Sequence, residues 1–160
     1  RTWGPEKIGS PLIENMKLLF VCTGNTCRSP MAEGFAKEEN KKRGTQYTIE
    51  SAGINAFDKD SPSENAVEAM KNYDIDISKH QAKKINADDV KTSDLILTMT
   101  ESQCLLLKQI FPDCSEKIFS LKNNDISDPY GSDAETYRLC AKEIKDAVEA
   151  VFEKLENDRN

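Results

Sequence analysis

The sequence has a single histidine, His80, and no long apolar run. One histidine argues against a Cys–His acyl-transfer site, and Cys22 and Cys27 lack the second ligand pair that a zinc site would need. No apolar run approaches the ~20 residues of a membrane helix, and no signal peptide is visible. We therefore expect no metal, no membrane association and a cytoplasmic protein, with His80 in a structural role.

The cysteines are odd in number and show no framework spacing; they are Cys22, Cys27, Cys104, Cys114 and Cys140. This usage fits free thiols in a reducing compartment better than a secreted, disulfide-stapled domain. We interpret the last three as small buried apolar residues. The net charge of −6 argues against a nucleic acid as the partner.

The chain of 160 residues has the length of one domain. Residues 1–15 contain two glycines and two prolines and show neither a helical nor a strand period. We interpret them as an N-terminal extension or a cloning remnant, with a native segment packed on the domain as the alternative. The domain itself is expected to span residues 16–160.

Apolar segments of strand length alternate with amphipathic segments of helix length. Strands are predicted at Lys17–Cys22, 46–50, 95–99 and 117–121, and helices at 30–43, 62–73, 101–111 and from 133 onward. This β-α-β-α-β-α-β-α order predicts a four-stranded parallel sheet with helices on both faces, in three α/β/α layers.

Three of the predicted helices follow a capping signature. The segments are Ser61-Pro62-Ser63-Glu64, Thr100-Glu101-Ser102-Gln103 and Ser132-Asp133-Ala134-Glu135. In each, a hydroxyl is followed three residues later by Glu or Gln, the spacing of a capping box. Pro62 would lie in the first turn of its helix.

The most informative segment is Cys22-Thr23-Gly24-Asn25-Thr26-Cys27-Arg28-Ser29. It follows the first predicted strand, at the sheet edge where open α/β sheets bind ligands, and it leads into a helix. Gly24 and Asn25 can take the positive φ of a tight turn. A helix N-terminus and Arg28 would supply donors to an oxyanion, and their field would favour a Cys22 thiolate. No glycine pair with a following lysine is present, which excludes a nucleotide-binding P-loop.

This segment resembles the nucleophile loop of the low-molecular-weight protein-tyrosine phosphatase family. The resemblance includes Asn25, Pro30, Ser51-Ala52-Gly53 and Asp128-Pro129-Tyr130, and it runs over nearly the whole domain. It implies a phosphotyrosine protein phosphatase I-like fold and a cysteine-dependent phosphatase that needs neither metal nor cofactor. A phosphorylated protein would be the partner, and the enzyme would be a monomer.

The resemblance also implies a role for each residue of the site. Cys22 would attack phosphorus, and Asp128 would protonate the leaving group and then activate water. Arg28 and the amides of residues 23–28 would hold the phosphoryl oxygens. The residues expected to bind substrate are Thr23, Gly24, Asn25, Thr26, Cys27, Ser29 and Tyr130. Ser29 would stabilise the Cys22 thiolate, and Asn25 would hold the left-handed turn of the loop. Tyr130 would form one side of the substrate cleft. Asp125 and Asp133 are interpreted as solvated loop carboxylates.

Position 26 bears on the substrate. Tyrosine-directed members usually carry a larger aliphatic residue there, whereas Thr26 makes this loop similar to that of bacterial protein-arginine phosphatases. A smaller side chain leaves room for a planar phosphoguanidinium group, and its hydroxyl can bind water or guanidinium nitrogens. We expect phosphoarginine in proteins as the substrate, with phosphotyrosine as the alternative.

Three further hypotheses remain open. Thioredoxin-coupled arsenate reductases share this loop but need a close pair of redox cysteines, whereas Cys104 and Cys114 are ten residues apart. A phosphoprotein-binding module without turnover is disfavoured by the complete set of catalytic residues. Finally, Cys27 is either a small loop residue or the partner of Cys22 in a reversible, protective disulfide.

Overall fold

A computed structural model describes residues 15–159. The strands are β1 Lys17–Cys22, β2 Thr48–Gly53, β3 Leu95–Thr98 and β4 Ile118–Ser120. The helices are α1 Arg28–Arg43, α2 Glu64–Lys71, α3 Ala87–Thr92, α4 Glu101–Ile110 and α5 Ala134–Arg159, with a 3₁₀ helix at Pro112–Lys117. The interpretation of residues 1–15 lies outside the described residues, Asn15 apart.

The four strands form one parallel sheet in the order β2-β1-β3-β4, as predicted. The chain moves from β1 to one neighbour, β2, and later returns to the other neighbour, β3. The strand order therefore reverses at β1, and a crevice opens beyond the carboxyl ends of the strands there. Cys22, the last residue of β1, lies at this crevice opposite Gly53 of β2.

Alternation along β1 builds two separate cores. Leu18 and Phe20 pack on the face covered by α1, α2 and α5, whereas Leu19 and Val21 pack on the face covered by α3 and α4. The three-layer α/β/α architecture is therefore confirmed. In the described part of the chain, no helix combines the length and the apolar character that a membrane crossing requires.

The predicted start of α2 was wrong by two residues. Ser63 is the N-cap, with extended φ −64° and ψ 145°, and its hydroxyl accepts from the Ala66 amide at 3.3 Å. Pro62 therefore precedes the helix, and Ser61 does not cap it. The short helix α3 was missed because six residues show no clear period, although Asn86 and Asp89 form a reciprocal capping box there.

Two loop carboxylates proved to be helix caps. Asp125 Oδ1 accepts from the Glu101 amide at 2.8 Å, at the start of α4. Asp133 Oδ1 accepts from the Thr136 amide at 2.9 Å, so Asp133, not Ser132, caps α5. Both residues are exposed, as the interpretation of solvated carboxylates requires, and in addition each accepts an amide hydrogen bond at a helix start. At α4 the predicted capping box of Thr100 and Gln103 is confirmed.

Two element boundaries near the crevice also differ from the prediction. Strand β2 was expected at 46–50 but runs over Thr48–Gly53, because 51–53 pair with the last three residues of β1. Helix α1 begins at Arg28 rather than Pro30. Strand β2 and helix α1 therefore both extend closer to the nucleophile loop, residues 22–28, than the sequence predicted.

Candidate active site

The nucleophile loop is anchored by backbone hydrogen bonds to two neighbouring segments. The amides of Ile54 and Asn55 donate to the carbonyls of Cys22 and Thr23 at 3.0 and 2.9 Å, and the Ser63 amide donates to Thr26 O at 2.9 Å. The loop is thus held on both sides before any ligand is bound.

One residue of the loop has the left-handed conformation that a tight cradle needs. Asn25 has φ 56°, as predicted. Gly24 was expected to share this role, but it is absent from the positive-φ glycines of the described chain. A single left-handed residue therefore suffices to turn the loop.

The Cys22 thiol is buried and receives polar contacts from the loop itself. The Asn25 amide donates to Cys22 Sγ at 3.2 Å, and Ser29 Oγ lies 2.9 Å from the same sulfur. A sulfur at this position can accept from both of these groups. The predicted placement of Ser29 beside Cys22 is what the structure has.

The Asn25 side chain fixes the direction of the Ser29 bond. Its Oδ1 accepts from the Lys83 amide at 2.9 Å, so Nδ2 is the donor to Ser29 Oγ at 2.7 Å and to Ser51 Oγ at 3.0 Å. Because Ser29 accepts from Asn25, its own proton is free to be donated to Cys22 Sγ. A directed chain of donors therefore ends on the sulfur.

A second branch of hydrogen bonds runs from Asn25 away from the sulfur to Glu33 of α1, and His80 contacts the Asn25 backbone. The Ser51 hydroxyl donates to Glu33 Oε1 at 2.5 Å, and His80 Nε2 lies 2.9 Å from the Asn25 carbonyl. Because a carbonyl can only accept, Nε2 carries a proton. His80 thus supports the loop backbone. Sequence reasoning gave Ser51 and Glu33 no such role, because Ser51 meets Asn25 only through the pairing of β1 with β2, and Glu33 enters through its bond to Ser51.

The N-terminus of α1 is left open toward the loop. Helices α2, α3 and α4 are capped by the side chains of Ser63, Asn86 and Thr100, whereas α1 has neither a capping side chain nor an acidic residue in its first turn. The amides at the start of a helix then remain available to an anion, which the helix dipole also favours.

Arg28 and Asp128 lie together beside the loop. Arg28 is buried; its Nη1 donates to the Ile126 carbonyl at 2.7 Å, and its Nη2 lies 3.6 Å from Asp128 Oδ2. Asp128 is half exposed, with 53% of its side chain accessible. The structure therefore brings together the two residues that the sequence placed a hundred positions apart.

Exposed aromatic side chains occur in two loops whose backbones contact this region. The Tyr130 amide donates to Asp128 Oδ1 at 3.0 Å, and the Tyr130 ring is exposed. Phe57, also exposed, lies two residues after Asn55, whose amide is bonded to Thr23. Sequence reasoning identified Tyr130 but missed Phe57, whose only signal was a large apolar residue in a polar loop.

The Cys27 thiol makes polar contacts outside the nucleophile loop. Its Sγ lies 3.4 Å from both Ser63 Oγ and Tyr137 Oη, between α2 and α5. Burial and the Cys27 thiol raise the pKa of Tyr137 to about 12. A disulfide with Cys22 would require Cys27 to leave these contacts, and it stays a prediction.

The cysteines outside the loop are in apolar surroundings. Burial raises the pKa of the Cys104 thiol, and it raises that of Cys140 to about 12. Both are buried, and all five cysteines are free. Over residues 15–159, no group of histidine, cysteine and carboxylate side chains is arranged to hold a metal ion.

The absence of a side chain at Gly53 allows the Ser51-Ala52-Gly53 segment to lie against the nucleophile loop. A Cβ at this position would come within 2.7 Å of the Thr23 carbonyl oxygen and 2.9 Å of the Asn25 amide nitrogen. We expect Gly53→Ala to lower kcat/KM by at least about tenfold and to destabilise the fold by about 1–3 kcal/mol, because backbone must shift.

The control for Gly53→Ala is Gly44→Ala at the end of α1. Gly44 has φ 68° and open space around its Cα, so alanine there costs stability but does not touch the loop. Thermal melts and steady-state kinetics should show both variants destabilised and only Gly53→Ala impaired. Equal kcat/KM for the two variants would contradict the proposed close approach.

A buried thiol with directed donors, a buried arginine and an open helix N-terminus together define a cysteine-dependent site for a phosphoryl group. The chain belongs to the family described as Low molecular weight phosphotyrosine protein phosphatase, whose sequence pattern matches residues 17–160. It is a cysteine-dependent phosphoprotein phosphatase of that family.

Similar curated proteins carry three different activities in their names. A protein-arginine-phosphatase of Bacillus subtilis is 31% identical over 150 residues, covering 90% of this chain and 99% of the relative. A low molecular weight protein-tyrosine-phosphatase Ptp of Acinetobacter johnsonii is 42% identical over 119 residues, covering 72% and 81%. Arsenate reductase 1 of Staphylococcus saprophyticus is 34% identical over 140 residues, covering 86% and 96%.

Solved structures share the fold. A low molecular weight protein tyrosine phosphatase from T. tengcongensis superposes with a TM-score of 0.84 at 40% identity, covering 88% of this chain and 99% of that one. A YwlE arginine phosphatase mutant with a phosphorylated active-site serine superposes with a TM-score of 0.87 at 29% identity, covering 90% and 98%.

Proposed function

We propose that the protein hydrolyses phosphoarginine in proteins through a cysteinyl-phosphate on Cys22. In the first step the Cys22 thiolate attacks phosphorus, the bond to the leaving nitrogen breaks, and Asp128 gives that nitrogen a proton. Arg28 and the loop amides hold the three equatorial oxygens, on which negative charge spreads in the transition state. The position of Asp128 beside Arg28 supports this assignment.

In the second step the phosphoryl group leaves the enzyme. Asp128, now a carboxylate, takes a proton from water; the water oxygen bonds to phosphorus and the S–P bond breaks. The Ser29 hydroxyl, turned toward Cys22 Sγ by Asn25, stabilises the departing thiolate. The phosphorylated active-site serine of the related YwlE mutant, which replaces a cysteine, supports a covalent step of this kind.

The observation that carries the substrate assignment is Thr26. Its side chain is half-buried in the nucleophile loop, with Oγ1 3.8 Å from Cys27 Sγ. A threonine there takes less space than the aliphatic residues of tyrosine-directed members and adds a hydroxyl near the leaving group. The protein-arginine-phosphatase relatives match over most of this chain.

Phosphotyrosine is the second candidate substrate. The exposed rings of Tyr130 and Phe57 offer apolar surface to a phenyl leaving group. Relatives named as tyrosine phosphatases also reach the higher identities. The two candidates share one mechanism and differ in the leaving group that Asp128 protonates.

Arsenate reduction is disfavoured by the environment of the other cysteines. A thiol relay needs accessible thiolates, whereas the Cys104 side chain is buried among apolar residues and burial raises its pKa. Cys114 lies across the end of α4, in the 3₁₀ helix. We also propose that the enzyme acts as a monomer in the cytoplasm, where Cys22 would stay reduced.

Substitutions at Thr26 test the substrate assignment. We expect Thr26→Ile to lower kcat/KM for a phosphoarginine peptide by roughly tenfold or more. The relative rate on a matched phosphotyrosine peptide should rise. The reason is that isoleucine is larger than threonine and fills space at the entrance of the nucleophile loop. The measurement is kcat/KM on both peptides with reduced enzyme.

Thr26→Val is the matched control, because it removes the hydroxyl at nearly constant volume. If space decides, valine keeps the preference for phosphoarginine; if the hydroxyl decides, valine loses it as isoleucine does. If the wild-type enzyme prefers the phosphotyrosine peptide, the phosphoarginine assignment is overturned and phosphotyrosine becomes the assigned substrate.

A further inference from the structure

Gln103 ties helix α4 to the nucleophile loop. It is buried, and its Oε1 accepts from the amides of Met99 and Thr100 at 3.0 and 3.1 Å. Its Nε2 donates to Thr23 Oγ1 at 3.1 Å. The capping box of α4 accounts for the bonds to Oε1 but not for the bond to Thr23.

The two amide bonds fix how Gln103 meets Thr23. A backbone N–H can only donate, so Oε1 must face Met99 and Thr100, and Nε2 must face Thr23. The Thr23 hydroxyl is therefore the acceptor in this contact. A hydroxyl that accepts one bond still has its own proton to give, and that proton is directed away from Gln103.

Thr23 is a solvent-exposed residue of the nucleophile loop. It directly follows Cys22, and its carbonyl accepts from the Asn55 amide at 2.9 Å. The backbone of Thr23 is thus held by the segment that follows β2, and its side chain by α4. The side chain is held before substrate arrives, so little ordering is required on binding.

We propose that Gln103 is a positioning residue that orients the Thr23 hydroxyl as a hydrogen-bond donor to a phosphoryl oxygen of the substrate. The non-bridging oxygens of a phosphoryl group are acceptors, and hydrogen bonds to a charged acceptor are the stronger ones. The inference rests on the proposed use of the nucleophile loop as the phosphoryl site. It adds α4 to the elements that hold the site in place.

Gln103→Glu separates positioning from capping. Glutamate at this position caps a helix as well as glutamine does, so α4 should keep its stability. A carboxylate, however, has no N–H and would accept the Thr23 proton, turning it inward. Thr23→Val removes the hydroxyl at nearly constant shape and leaves the cap intact.

The test is the Kd of inorganic phosphate by calorimetry, with kcat/KM on p-nitrophenyl phosphate and a thermal melt. We expect Gln103→Glu and Thr23→Val each to raise the Kd roughly tenfold, with the melting temperature of Gln103→Glu unchanged. In the double variant, Gln103→Glu should add nothing to Thr23→Val, because its effect passes through the missing hydroxyl.

Two results would overturn the proposal. One is a Gln103→Glu protein that binds phosphate as the wild type does, since Gln103 would then only cap α4. The other is a double variant in which the two effects multiply, since the carboxylate would then act by charge alone. Turnover that survives Cys22→Ser would overturn the proposed mechanism instead, and phosphate binding would still report on Gln103.

Discussion

Cys22→Ser is expected to abolish turnover of every phosphoester and phosphoramidate substrate, with a loss on the order of 10⁴-fold or more in kcat. A serine hydroxyl is a far weaker nucleophile than a thiolate, and the Asn25 amide and Ser29 are placed to donate to the atom at the Cys22 Sγ position. The measurement is initial rate with reduced enzyme under substrate saturation.

The same variant should fold and bind ligand normally. Cys22 is buried and makes its contacts through one sulfur atom, which an oxygen can replace in the same hydrogen bonds. We therefore expect a melting temperature close to that of the wild type and retained binding of inorganic phosphate. Substantial residual turnover, with contamination excluded by Cys22→Ser protein from a second purification, would contradict a Cys22 nucleophile.

Asp128→Asn is expected to lower kcat on phosphoarginine peptides by roughly 10²–10⁴-fold, the range for loss of a general acid and base. The expected loss of kcat is large because Asp128 acts as the acid in the first step and as the base in the second. With p-nitrophenyl phosphate, whose leaving group departs without a proton, the variant should release a burst of nitrophenolate and then turn over slowly. The burst amplitude should approach the enzyme concentration.

Asp125→Asn and Asp133→Asn are the matched controls in the same loop. Both carboxylates cap helices, α4 and α5, and asparagine can accept the same amide hydrogen bonds. We expect kcat for these two variants to stay near the wild-type value. If either lost as much activity as Asp128→Asn, or if Asp128→Asn showed no burst, the assignment of the acid would be wrong.

The sheet and most of its helices could be predicted because the signals are local. A buried apolar run marks β1, and Thr100 with Gln103 marks the start of α4 within four residues. The roles expected of Cys22 and Arg28 follow likewise from one short segment. An error arose at α2, where Ser61 has the capping-box spacing to Glu64, but Ser63, which has Ala66 three residues later, is the residue that caps the helix.

The support of the loop could not be predicted, because it depends on contacts between distant segments. Asn25 meets Ser51 and Lys83 only through the pairing of β1 with β2 and the path of the chain after it. Gly53 is required by a backbone approach of 2.7 Å, and no spacing in the sequence reveals that distance. Such contacts become visible only when the sheet register is known.

The most direct test of the mechanism is to trap the phosphorylated enzyme. Wild type and Asp128→Asn would be mixed with substrate, quenched in acid within milliseconds to seconds, digested and examined by mass spectrometry. We predict a phosphoryl group on Cys22, transient in the wild type and accumulating in Asp128→Asn, where its hydrolysis is slowed. A phosphoryl group on another residue, or product release from Asp128→Asn with no phosphorylated Cys22 at any time, would contradict the account.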